Sequence, residues 1–106
     1  MKKIFGFLLL AILMNGCRKP IYACFVYSPT APITTTTALS FDASCSEEAE
    51  TFQWNYNDGN VPAPQSSSII DSHTFLSQGT YSVTLTVGRS GRKKETITTT
   101  QIIIVQ

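Results

Sequence analysis

The chain has 106 residues, 42% of them hydrophobic and 14% charged, with eight lysines and arginines against seven acidic residues. That length supports one domain with a single core. A formal net charge of +1, with few lysines and no basic stripe, excludes nucleic acid as a partner class.

The first residues divide as a secretory signal does: Lys2 and Lys3, then an apolar run over residues 4–14, then Asn15-Gly16. Eleven residues are too few to cross a bilayer as a helix, which takes about 20. The segment Leu13-Met14-Asn15-Gly16-Cys17 resembles the lipobox of bacterial lipoproteins, although Met14 and Asn15 are looser than its commonest form. The resemblance implies cleavage before Cys17 and lipidation of its thiol, with palmitate or a similar chain on the new amine. Residues 1–16 are then a signal peptide and residues 17–22 a lipid-anchored tether to the membrane. The remaining 90 residues carry six basic against seven acidic side chains, so the formal charge becomes −1. Arg18 is not the acidic residue that resembles an inner-membrane retention signal, so the expected address is the bacterial cell envelope, with the outer membrane favoured. The alternative is an ordinary secreted chain in which Cys17 stays a thiol.

From residue 23 onward, short runs of β-branched and aromatic residues alternate with Gly, Pro, Ser, Asn and Asp clusters. The expected strands are residues 24–27, 37–41, 51–56, 67–70, 72–75, 80–87 and 94–105. Clearest is 80–87, where Tyr81, Val83, Leu85 and Val87 alternate with Thr80, Ser82, Thr84 and Thr86. In the last run Ile102, Ile103, Ile104 and Val105 stand together, which calls for a bulge or for cover on both faces. Seven such strands point to an all-β sandwich over residues 23–106. Its expected inward set is Phe25, Leu39, Phe41, Phe52, Trp54, Tyr56, Phe75, Tyr81, Val83, Leu85 and Val87.

Five motifs then stand in order: Phe25-Val26-Tyr27-Ser28-Pro29, Leu39-Ser40-Phe41-Asp42-Ala43-Ser44, Trp54-Asn55-Tyr56-Asn57-Asp58-Gly59, His73-Thr74-Phe75, and Gly79-Thr80-Tyr81-Ser82-Val83-Thr84-Leu85-Thr86-Val87. Together they resemble the PKD (polycystic kidney disease) domain, an immunoglobulin-like β-sandwich. Asn55, Tyr56 and Asn57 depart from that family's WDFGDG motif, and the missing acid at position 55 weakens any charge-dependent role there. Asn57 still suits a left-handed backbone. The resemblance implies a core role for Trp54, a tyrosine corner at Tyr81 and a structural place for His73.

In such a sandwich the start of the first strand shares an end with the turns after the second and sixth expected strands. Cys24 then lies near Cys45, and a lipidated Cys17 leaves those two to pair, the alternative being two reduced thiols. Glu47, Glu48 and Glu50 share that end with Arg89, Arg92, Lys93 and Lys94 as a solvated rim of opposite charges. A sharper alternative has this basic hairpin, with Arg18 and Lys19, touching anionic headgroups. The opposite end carries Asn57, Asp58 and Asn60 with the Pro62-Ala63-Pro64 stretch, the expected binding loop. Asp42 and Asp58 fall short of the six to eight oxygen ligands calcium takes; Asp42 reads as a turn anchor and Asp58 as a hairpin cap. No catalytic set, metal or cofactor is expected. The expected function is a non-catalytic, lipid-anchored envelope protein whose domain contacts an unidentified envelope protein or glycan. A small lipoprotein inhibitor or immunity factor acting on an envelope enzyme is the alternative.

Overall fold

Alternation of burial along each strand sets the architecture. The computed structural model describes residues 19–60, 67–91 and 93–106. Its strands in chain order are β1 (Val26–Ser28), β2 (Leu39–Asp42), β3 (Thr51–Asn55), β4 (Ile70–His73), β5 (Gly79–Arg89) and β6 (Glu95–Val105). They form two antiparallel three-stranded sheets, ordered β1-β2-β4 and β3-β5-β6. All residues that lie outside those ranges, including the signal segment 1–16, Cys17, Arg18, Pro62-Ala63-Pro64 and Arg92, fall beyond the description.

The inward set forms the core: Leu39, Phe41, Phe75, Val83, Leu85 and Val87 are essentially sealed, and Phe25, Phe52, Trp54 and Tyr56 are buried. Ile21, Ala23, Ile33, Ala43, Ile103 and Val105 complete it. Tyr81 is half-buried rather than internal, stacked on Phe75 at 4.3 Å with its hydroxyl donating to Ser77 O at 2.7 Å. That bond makes the expected tyrosine corner, which pulls the ring toward the rim. Trp54 packs its edge against Phe25 at 5.4 Å and lies 5.8 Å from Phe41.

Three expectations change. The runs 67–70 and 72–75 are replaced by one strand, β4, so the described residues hold six strands, not seven. Asp71 does not interrupt it, because its carboxylate accepts the Tyr56 hydroxyl, and Phe75 leaves the ladder to fill the core. β6 needs neither bulge nor double cover: it pairs with β5 in unbroken register from Glu95 to Val105. Ile103 and Val105 face inward, while Ile102 and Ile104 stand exposed on the outer face. Finally, Arg89 is not part of a solvated rim. It is 6% exposed, with Nε 2.5 Å from Glu95 Oε1 and Nη1 3.7 Å from Glu48 Oε1. Charges removed from water need such partners.

The two ends of the sandwich differ. At one, Tyr22 and Glu47 exchange backbone hydrogen bonds, Ser46 Oγ donates to Cys24 O, and Cys24 and Cys45 are disulfide-bonded with Cα atoms 5.4 Å apart. The described chain starts at this end, which is fixed by covalent and backbone links. The Asp42 carboxylate accepts from Ser44 N at 2.8 Å, anchoring the turn that carries Cys45.

Closing 21 residues of separation restricts the unfolded chain, by an amount worth about 3 kcal/mol. The double variant Cys24→Ser/Cys45→Ser is expected to lose that much in urea unfolding of the detergent-solubilised full chain. A loss below about 1 kcal/mol would mean that the backbone links alone hold this end.

Candidate functional site

β3 ends at Asn55, and the next residues turn sharply because two of them take positive φ: Asn57 at 53° and Gly59 at 94°. Asparagine and glycine are the residue types that tolerate this. The turn is fastened from within. Asn57 N donates to Asn55 Oδ1 at 3.0 Å, Asn57 Nδ2 donates to Ser82 O, and Asn60 N donates to Asp58 Oδ1 at 3.3 Å.

A side-chain link joins Asp58 to His73. Nε2 of His73 lies 2.6 Å from Asp58 Oδ2, and both side chains are largely shielded, at 18% and 10% exposure. The imidazole is stacked on Tyr56, with centroids 3.9 Å apart and planes 7° from parallel, and meets the Phe75 ring at 4.7 Å. Burial pushes the Asp58 pKa up, but the His73 hydrogen bond, the Asn60 backbone N–H and the His73 charge outweigh it, leaving the carboxyl below its usual range. Burial, then the Asp71 hydrogen bond and charge, push the Tyr56 phenol far above its usual range. The phenol is therefore a fixed donor rather than an acid at any ordinary pH.

Among the described residues the His73 ring hydrogen-bonds only to Asp58, so no hydroxyl or thiol is poised for its use. Nor do the described residues contain a group of three or more His, Cys, Asp or Glu arranged for a metal ion. The pair positions a loop. What it presents is a shallow depression of about 250 Å³ lined by Asp58, Asn60, Leu76, Ser77 and Tyr81, with Leu76 82% exposed beside it.

A model of the PKD domain matches residues 24–104. The chain belongs to the PKD domain family. Among curated proteins, no relative matches it. Membership accounts for the two-sheet architecture and for the shared end at which Cys24 and Cys45 meet. The PKD domain here uses Asn57 and Asp58 to shape the turn, which leaves Asn60 as the more available of the three expected loop residues. Asp71 and Leu76 were not anticipated. Asp71 was legible, since it stands two positions from His73 on one strand and so shares its face. Nothing in the local pattern marked Leu76, whose neighbours are those of an ordinary turn.

Because Asp58 is held below the usual carboxylate range, it contributes stability at neutral pH that fades as acid titrates it. Asp58→Asn should therefore be less stable than the parent at neutral pH, by no more than about 1 kcal/mol. The gap should close below the ordinary carboxylate range in an acid series of thermal unfolding curves. A gap independent of pH would assign the effect to shape alone.

Proposed function

We propose that this PKD-domain protein is a non-catalytic lipoprotein of the bacterial cell envelope, anchored through Cys17, which contacts an envelope protein or glycan with the end of its sandwich opposite the tether. The observation that carries the reading is the polarity of the domain. The described chain enters beside the Cys24–Cys45 bond, while residues 57–60 and Leu76 project from the other end. Six residues between Cys17 and Cys24 span at most roughly 25 Å, which keeps the domain close to its membrane and turns the far end outward.

Among the described residues of that end, Trp54 is internal and Tyr81 is stacked on Phe75 with its hydroxyl tied to Ser77, which favours protein over glycan. An inhibitor of an envelope enzyme would use the same end, and the protruding Leu76 is the feature that favours this second reading. Tether-side lysines add a lesser element: Lys19 borders a cleft of about 390 Å³ with Glu48, Ala49, Glu50 and Arg89, where acidic neighbours offset its attraction to anionic headgroups.

Two measurements test the proposal. Intact mass of the mature protein should show an acylated N-terminal Cys17, and Cys17→Ser should release the chain from membranes. Pull-down from detergent extract should recover a partner whose yield falls about tenfold with Leu76→Ala/Asn60→Ala, a loss in the range of an interface anchor. An unmodified Cys17 removes the anchor. A partner retained by the double variant moves the surface elsewhere, and a captured hydrolase whose activity drops selects the inhibitor reading.

A further inference from the structure

β6 stands at the edge of its sheet, and the direction of its backbone groups follows from three bonds. Gly88 O accepts from Glu50 N and Ser82 O accepts from Asn57 Nδ2, so the even residues of β5 point toward β3 and its odd residues toward β6. Since odd β5 residues pair with odd β6 residues, the even residues of β6 direct N–H and C=O away from the sheet. Gln106 N, donating outward to Ile33 O at 2.8 Å, has the same parity. Thr96, Thr98, Thr100 and Ile102 thus carry outward backbone groups that no described residue pairs.

Edges of this kind are normally blunted by shortness, proline, bulges or charge. The other three edge strands are short, with three, four and five residues in β1, β4 and β3. β6 has eleven residues, keeps a regular register, and from Thr96 to Val105 holds neither proline nor charge. Its far end is walled. Residues 30–33 with Tyr27, Ile102, Ile104 and Gln106 line a pocket of about 250 Å³, in which Ile102 and Ile104 are more than half exposed. Its near end is preceded by exposed Lys93 and Lys94, neither ion-paired among the described residues.

We propose that this edge receives an extended segment of a partner protein as a fourth, antiparallel strand. The partner segment seats apolar side chains from its N-terminal half against Ile102, Ile104 and the wall at Pro32, and places acidic residues at its C-terminal end beside Lys93 and Lys94. A row of alternating donors and acceptors at strand spacing is complementary to polypeptide backbone and to little else. A second copy of the chain fits poorly, because antiparallel self-pairing centred on Thr99 would lay each copy's Lys94 beside the other's Ile104. The edge belongs to the domain itself and stands whether or not Cys17 is lipidated.

Amide hydrogen exchange of the detergent-solubilised full chain tests this, with a synthetic undecapeptide of alternating valine and threonine that begins on isoleucine and ends on two glutamates. In the free protein, Thr96, Thr98, Thr100 and Ile102 should exchange fast and their odd neighbours slowly. Saturating peptide should slow those four by about tenfold or more. Replacing the glutamates by lysines should weaken binding about threefold. Thr100→Pro removes an outward N–H while sparing the β5 ladder, and should abolish the protection; Thr98→Lys serves the same purpose if the proline variant does not fold. Failure of the peptide to slow the four amides, protection located at residues 57–60 instead, or concentration-dependent protection without peptide would each overturn the proposal.

Discussion

Nothing in the described backbone ladders connects the two sheets, so the domain depends on the aromatic contact that spans them. Phe41 of β2, with no exposed surface, touches Phe25, Tyr27, Trp54 and Tyr56 at centroid distances of 5.1 to 6.1 Å. Trp54 and Tyr56 lie on and just beyond β3, in the opposing sheet. Large rings bury much area with few rotatable bonds, and tilted pairs add to that burial. The seam also sets the cost of Trp54, whose indole N–H is buried without a partner among the described residues. Such an orphaned donor costs on the order of 1–3 kcal/mol, which the ring's apolar burial exceeds only while the surrounding packing stays tight.

The seam continues outward into the candidate site. Tyr56 reaches from Phe41 to His73, and His73 reaches Asp58, so the loop at residues 57–60 is held by a stack that begins in the core. The polar bonds at this end, from Tyr56 to Asp71 and from His73 to Asp58, tie β3 and its loop to β4 across the sandwich. A histidine beside a carboxylate invites a catalytic reading. Here one face of the ring is stacked on Tyr56, the ring meets Phe75 at a steep angle, and the pair acts as a fastening.

Where one rule governed a position, the sequence made it legible. Period-two alternation placed Val83, Leu85 and Val87 inside, and the turn signals around Asn57 and Gly59 foretold positive φ. The PKD resemblance supplied the sandwich topology that brought Cys24 to Cys45, which spacing alone does not determine. The errors arose where two rules competed. Asp71 reads as a breaker in isolation, yet a hydroxyl from 15 residues away lets it sit in a strand. Arg89 reads as surface, but Glu95 faces it from β6 across the hairpin and Glu48 reaches it from the β2-β3 connection, a convergence that only the fold produces. The isoleucines of β6 violate alternation outright. No local rule states that Ile102 and Ile104 stay exposed, because that depends on no described residue covering them.

That exposure is informative because of what the sheet does on its other strands. The outer face of β3-β5-β6 is polar for most of its length: Thr86 lies 3.0 Å from Thr98 and Thr84 3.5 Å from Thr100 through their hydroxyls, a cross-strand ladder suited to water. The pattern changes only at Ile102 and Ile104, at the half of β6 nearest the end away from the Cys24–Cys45 bond. A chain selected for solubility alone would have continued the threonines. On the lipid-anchored reading the geometry favours the same half, since a short tether crowds the disulfide end against the membrane and leaves this corner the most open to a large partner. The apolar residues on β6 and the protruding Leu76 then lie toward the same end of the sandwich, away from the Cys24–Cys45 bond.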